Sequence, residues 1–467
     1  MRRGWTFPGA RNRQIRRVSP THHDLLIIGA GSGNTVLGPE HDGWNVGIAE
    51  PWAFGGTCMN RGCIPSKMFV HAADLALSAR HAPELGVHTT FGGADWPAIR
   101  DRVFGRIDTI ADAGRAYRVS LDDVTVYEDR AHFTGPRTVR LGEQEVTAQH
   151  IVLAAGARAS VPNIPGLAMT PYLTSDDVMR QDNLPDRLVI LGGGFISVEM
   201  AHVFEALGSR VTVVHRGDLL LRGVDEEVRQ RLTGIYGDRM DLRLGITVNQ
   251  VIHDDTFHLE LSDGSVVVAD QLLVATGRQP NGDLLEVERG GIEVDSQGYV
   301  ITDAHLRTTA EGVWALGDVT NPVQLKHTAN AEARVVAHNL VHPDDLRAVD
   351  RRFVPHAVFG HPPLGSIGPT EQRLADEGRP YLVAVREYSS TAYGWAMEDT
   401  TGFVKVLADP DTRLLLGAHV FGPQAPTLVQ QLIQGMVAGQ TVDQMARDQL
   451  YIHPALPEVL EQALLEL

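Results

Sequence analysis

The sequence predicts an α/β fold: two parallel-sheet units of one plan in tandem, then a smaller α+β unit at the C-terminal end. Three observations predict it. First, an apolar run, Asp24-Leu25-Leu26-Ile27-Ile28, leads straight into Gly29-Ala30-Gly31-Ser32-Gly33-Asn34. Second, Leu188-Val189-Ile190-Leu191 leads in the same way into Gly192-Gly193-Gly194-Phe195-Ile196-Ser197. Such a run ending in a glycine-rich turn marks a buried parallel strand feeding a helix N-terminus that takes a pyrophosphate, the Rossmann-like plan. Third, from about residue 348 the pattern shifts to short strands with turns, followed by helices at 426–439 and 457–466.

Composition bounds the possibilities. The chain has 467 residues, with 41 Lys plus Arg against 58 Asp plus Glu, a formal net charge of −17. That balance argues against a nucleic-acid partner, which needs a concentrated basic surface. No apolar run approaches the roughly 18 residues that span a bilayer. Only two cysteines occur, Cys58 and Cys63. A single close pair in a long chain fits a cytoplasmic protein, where disulfides are catalytic or sensing rather than structural. The segment 1–22 carries Arg2, Arg3, Arg11, Arg13, Arg16 and Arg17 and lacks the apolar core of a secretory signal, so it is expected to be a disordered basic arm.

The first unit starts at His23. Its turn reads G-x-G-x-x-N, where the dinucleotide pattern wants Gly or Ala last. A second strand at 45–49 ends at Glu50, 21 residues past Gly29, where a ribose-binding acid belongs. Gly38 and Pro39 fall where the crossover helix should run, so that helix is expected to be short or broken. The second unit has a helix at 198–207 closed by Gly208 and a strand at 211–214. His215 stands where an acid would contact a ribose 2′-hydroxyl, with Arg216 and Arg222 beside it. Basic residues there accommodate a 2′-phosphate, so the second site reads as NADPH-binding and the first as binding an adenosine without that phosphate. Duplication is echoed again: Ala154-Ala155-Gly156-Ala157-Arg158 resembles Ala275-Thr276-Gly277-Arg278. Further on, an apolar strand ends in Gly317-Asp318, and Asp318 is a candidate for a sugar-alcohol hydroxyl.

Around the cysteines the chain reads Gly55-Gly56-Thr57-Cys58-Met59-Asn60-Arg61-Gly62-Cys63-Ile64-Pro65-Ser66-Lys67. Pro65 suits the first turn of a helix. Cys63 then sits at that helix's N-terminus, whose partial positive charge favours a thiolate, with Lys67 one turn on. A redox-cycled Cys58–Cys63 pair is the working expectation. His453 with Glu458 five residues on has the composition of a general acid/base and its orienting acid. The histidines show no ligand spacing and Cys58–Cys63 has no second cysteine pair, so no metal site is expected.

In combination these motifs resemble the pyridine nucleotide–disulfide oxidoreductases, over nearly the whole chain after the arm. Within that family, Lys67-Met68-Phe69-Val70, Phe104-Gly105-Arg106-Ile107-Asp108, the run from Ala392 to Asp399 and Tyr451-Ile452-His453-Pro454 resemble the mycothione reductase branch, as does Asn34. The resemblance implies an FAD domain in two pieces, 23–160 and 282–347, an inserted NADPH domain at 161–281 and a dimerisation domain at 348–467. It implies FAD on Gly29, Gly31, Ser32, Glu50, Gly56, Thr57, Lys67, Gly156, Gly317 and Asp318. It implies NADPH on Gly192, Gly194, Ile196, Glu199, Arg216, Arg222 and Gly277. Cys63 would be the flavin-proximal sulfur, Cys58 the interchange thiol, Lys67 a partner of Glu199, and His453, polarised by Glu458, a residue acting across a homodimer interface. The implied activity is NADPH-dependent reduction of a small-molecule disulfide, mycothione to mycothiol, in the service of thiol redox balance. The alternatives are another member such as dihydrolipoamide dehydrogenase or glutathione reductase, or a non-catalytic flavoprotein subunit.

Overall fold

The computed structural model describes residues 21–467. The basic arm lies outside them, except for Thr21 and His22. These two open the first strand, Thr21–Ile28, earlier than the apolar run suggests, because they pair with Val146 and Thr147 of a neighbouring strand.

The first sheet runs in the order Val124–Tyr127, Val46–Ala49, Thr21–Ile28, Gln144–Leu153, Thr138–Leu141, Ala131–Gly135. Val313–Ala315 also pairs with Gln144–Leu153. That late strand matters for function. It brings Gly317 and Asp318 to the same carboxyl edge as the Gly29 turn, although the second unit intervenes in the chain. The crossover after Thr21–Ile28 contains only two single 3₁₀ turns, Gly33–Thr35 and Pro39–His41, as Gly38 and Pro39 predict. Asn34 is held there by Arg118, which donates from Nε to its side-chain oxygen at 2.8 Å and from its guanidinium to its carbonyl at 3.0 Å.

The second sheet is four parallel strands in the order Asp241–Leu244, Arg210–His215, Arg187–Leu191, Gln271–Val274. The duplication is visible atom by atom. A Cβ on Gly29 (φ +108°) would collide with the carbonyl oxygen of Ala154, and one on Gly192 (φ +127°) with that of Ala275. Both turns therefore need glycine for the same two reasons, left-handed backbone and close approach. The two echo segments also meet: Ala157–Ala159 and Arg278–Pro280 form a small antiparallel ribbon. A three-stranded antiparallel sheet, Val248–His253, Phe257–Leu261, Val266–Ala269, is attached to the second unit and was not anticipated from the sequence.

The C-terminal unit is a five-stranded antiparallel sheet backed by helices Ala425–Ala438 and Pro457–Leu465. Val404, Val406, Leu432 and Leu460 form its fully buried core.

Two helices hold the site. Cys63–His81 buries Phe69, Val70, Ala73, Ala76 and Leu77, the spacing of one helical stripe. That stripe shares a core with Ala201 and Phe204 of helix Phe195–Leu207, which is buried almost all round because a sheet covers one side and Cys63–His81 the other.

Candidate active site

Cys58 sits in a one-turn helix, Gly56–Asn60, and Cys63 opens the long helix after Gly62. Both are free thiols, Cys58 half-buried and Cys63 exposed. The two side chains act on each other: Cys58, assisted by the Lys67 charge and a backbone N–H and opposed by burial, brings the Cys63 thiol down to about 6. Cys63 in turn, with burial, pushes Cys58 far above the ordinary thiol range. One sulfur is thus poised as a thiolate and the other holds the proton.

Lys67, one turn past Cys63, donates to both carboxylate oxygens of Glu199 at 2.7 and 2.6 Å. Glu199 is buried on helix Phe195–Leu207 and also accepts from the Phe359 N–H at 3.1 Å. The pair ties the cysteine helix to the second unit and to the C-terminal unit.

These groups line a cavity of about 620 Å³. Its wall includes Gly29, Gly31, Ser32, Glu50, Gly56, Thr57, Cys58, Cys63, Lys67, Gly156, Gly317 and Asp318. The chemistry of the wall suits a flavin dinucleotide. Glu50 is buried, accepts the Ala30 and Trp52 N–H groups at 2.9 and 3.0 Å, and is pushed up by that burial. Burial likewise pushes Asp318 up, against the pull of Arg278, and no other described residue donates a hydrogen bond to its carboxylate. The Ser175 hydroxyl, also in the wall, is buried without a partner. Acceptors and donors left open in a wall of this size are what a ribityl and adenosine moiety satisfy.

Residues in the wall and directly behind it also shape the site. Lys326, first residue of helix Lys326–Val341, donates to the Ser32 hydroxyl at 2.9 Å, and Ser32 in turn donates to Asn330 at 3.1 Å. Glu332 is fully buried and accepts the Gly317 N–H at 2.7 Å, fixing the turn that presents Asp318. An acid on the apolar face shared by Ala329, Ala333 and Val336 was the available clue. Phe195, an exposed ring at the start of its helix, and Arg278 also line the cavity.

Of the residues expected to take NADPH, Ile196 and Glu199 reach this cavity. Gly192, Gly194, Gly277, Arg216 and Arg222 do not line it and surround the carboxyl edge of the second sheet. Arg216 and Arg222 are exposed, with no ion pair among the described residues. His215 packs its ring against Gly193, and burial together with the Arg216 charge holds it below the usual histidine range.

His453 Nδ1 is 2.8 Å from Glu458 Oε1, and the Ala455 N–H donates to the other oxygen at 3.1 Å. Glu458 is held below the usual carboxylate range chiefly by His453. His453 is 72% exposed and no residue of the C-terminal unit belongs to the cavity wall. Within one chain, His453 and Cys58 are not brought together.

A family model described as pyridine nucleotide-disulphide oxidoreductase matches residues 23–333, and one described as the dimerisation domain of the same family matches 354–464. Mycothione reductase of Mycobacterium tuberculosis (strain ATCC 25618 / H37Rv) is 45% identical over 459 residues, covering 95% of this chain and 99% of that protein. Dihydrolipoyl dehydrogenase of Haloferax volcanii is 32% identical, covering 95% and 96%. Among solved structures, the HOCl-induced flavoprotein disulfide reductase RclA of Escherichia coli superposes with a TM-score of 0.84 at 29% identity, covering 94% and 99%.

Proposed function

Because the chain belongs to the pyridine nucleotide-disulphide oxidoreductase family, whose members are FAD-containing and NAD(P)H-dependent disulfide oxidoreductases, we propose that it reduces mycothione to mycothiol with NADPH. The observation that carries the chemistry is the Cys58–Cys63 pair, two interacting sulfurs on the wall of the cavity beside Lys67 and Glu199. The substrate reading is supported by 45% identity to a mycothione reductase over almost the full length of both chains, against 32% for the dihydrolipoyl dehydrogenase.

In this reading 23–160 and 282–347 hold FAD, 161–281 holds NADPH and 348–467 forms a homodimer interface. FAD, when bound, supplies an electron pair from the nicotinamide to the Cys58–Cys63 disulfide. The chain's own groups do the rest. Cys63 stays a thiolate beside Lys67. Cys58 retains its proton in the resting dithiol, so it needs a base, which is the role of His453 of the partner subunit. The Cys58 thiolate attacks one substrate sulfur, the substrate S–S bond breaks, and His453 of the partner subunit returns the proton to the departing thiolate. Cys63 then attacks the Cys58 sulfur of the mixed disulfide, the second substrate sulfur leaves as a thiolate that takes a proton from solvent, and the Cys58–Cys63 bond re-forms. Glu458 fixes the imidazole tautomer through Nδ1.

The dimer is supported by geometry as well as by the dimerisation-domain match. Leu450 and Ile452, 100% and 75% exposed, immediately precede His453 and offer an apolar surface suited to a second copy. No helix among the described residues is long and apolar enough to cross a membrane. A cytoplasmic role in thiol redox balance fits the acidic charge and the lone cysteine pair. The test is Cys58→Ser: the variant keeps its flavin and loses NADPH-dependent disulfide turnover. Retained turnover overturns the assignment.

A further inference from the structure

Away from the cavity, three side chains from three separate elements converge. Asp74 lies on helix Cys63–His81, His202 on helix Phe195–Leu207, and His361 in the loop before strand Leu364–Ile367. Asp74 Oδ1 is 2.9 Å from His202 Nε2 and 3.6 Å from His361 Nδ1, and the three ligand atoms lie within 4.8 Å of one another. His202 is fully buried, and its ring stacks on that of His361 with centroids 5.4 Å apart. His81, two turns past Asp74 on the same helix, brings its ring to 6.5 Å from that of His361.

We infer that Asp74, His202 and His361 form a binding site for one divalent transition-metal cation, of the borderline class that imidazole and carboxylate ligands share. Donors around a tetrahedral ion of this class, bound at about 2.0–2.1 Å, stand about 3.3 Å apart. The two separations from Asp74 bracket that spacing, while the two imidazole nitrogens, within 4.8 Å of each other, close on binding as the half-exposed His361 side chain moves in. A fourth position is left for water or His81.

The charges around the cluster leave room for a cation. Asp74 has no Lys or Arg partner among the described residues; its neighbours are the two imidazoles. Arg239 stands 3.4 Å from His202 Nδ1, and Arg80 lies on the same helix as Asp74, but both pair with Glu205. The rival arrangement is a simple hydrogen-bonded set in which His202 Nε2–H donates to Asp74. A cation at Nε2 displaces that hydrogen bond, and the ring proton moves to Nδ1, which then faces Arg239 while Arg239 stays paired with Glu205. The residues come from positions far apart in the chain, which is why ligand spacing gave no sign of them. An ion here ties the cysteine helix to the second nucleotide-binding unit and to the C-terminal unit, and occupancy therefore stabilises their junction.

The experiment uses the full-length, flavin-loaded chain carrying Cys58→Ser and Cys63→Ser, so that no thiolate competes for metal. The protein is treated with chelator and titrated with Zn(II) by calorimetry, and its melting temperature is followed in parallel. The expected result is one Zn(II) per chain and a melting temperature that rises with Zn(II). Adding His361→Ala or, separately, Asp74→Asn lowers the affinity by more than the about 10–100-fold that loss of an outer-shell partner costs. Two variants are used because His361 is half-exposed and tolerates truncation better than a core residue. No uptake by the parent, or uptake unchanged in both variants, overturns the inference.

Discussion

Lys67 Nζ lies 2.7 and 2.6 Å from the two carboxylate oxygens of Glu199, and through that pair the helix that begins at Cys63 is fastened to the helix of the second nucleotide-binding unit. Glu199 is 5% exposed at its side chain and Lys67 33%. Lys67→Met leaves a buried carboxylate unpaired. Breaking a buried pair from one side costs about 3–5 kcal/mol, and the low end applies because Lys67 is partly solvated. Denaturant unfolding of the flavin-loaded protein measures it, and Lys67→Met with Glu199→Leu recovers part of the loss. A single variant as stable as the parent contradicts the account.

The low position of the Cys63 thiol predicts a pH response. Its acid form is disfavoured by the Cys58 S–H first and by Lys67 after burial is overcome, so the thiolate of the reduced enzyme is present above pH about 6 and lost below it. Cys58→Ala removes the donor, and the midpoint moves up towards the ordinary thiol value. Alkylation rate against pH, or the long-wavelength absorbance of a thiolate beside flavin, reads the shift. A midpoint that does not move removes Cys58 as the cause.

His453 and Cys58 are apart within one chain, and in the proposed mechanism, where His453 acts from the partner subunit, each site needs two chains. His453→Ala lowers kcat by about 10²–10⁴-fold, the usual contribution of a general acid. Mixing that variant with Cys63→Ser chains, each inactive alone, restores activity, since each mixed dimer of a two-fold assembly has one intact site. Absence of restored turnover in a mixture shown to form mixed dimers contradicts action in trans. Glu458→Gln lowers kcat while leaving flavin content unchanged.

Arg216 and Arg222 are exposed at the edge of the second sheet and have no ion pair among the described residues. Each charge-assisted hydrogen bond to a phosphate contributes about 1.5–3 kcal/mol. Replacing both by Ala therefore raises KM for NADPH by at least about tenfold while KM for NADH changes little. Equal effects on both cofactors reject a 2′-phosphate contact.

Both glycine turns were legible in the sequence because strand-to-helix turns at a pyrophosphate impose glycine at fixed spacing, and Gly29 and Gly192 repeat one clash with Ala154 and Ala275. Cys63 at a helix start was legible from Gly62 and Pro65. The interruption of the first crossover was legible from Gly38 and Pro39. What lay hidden depends on pairing across long stretches of chain. The return of Val313–Ala315 to the first sheet was legible only through the family resemblance, and the Glu332 bond to Gly317, the Lys326 bond to Ser32 and the meeting of Asp74 with His202 and His361 leave no local pattern. The antiparallel sheet 248–269 was missed for another reason: Phe257-His258-Leu259-Glu260-Leu261 alternates as a strand should, but its neighbours Val248–His253 and Val266–Ala269 do not alternate in sequence and all three are short.

The most direct test of the account is the steady-state turnover of mycothione, glutathione disulfide and lipoamide by the purified, flavin-loaded enzyme with NADPH and with NADH. The account predicts the highest kcat/KM for mycothione with NADPH, abolished by Cys58→Ser. Lipoamide or glutathione disulfide as the best substrate, or NADH as the better reductant, contradicts it.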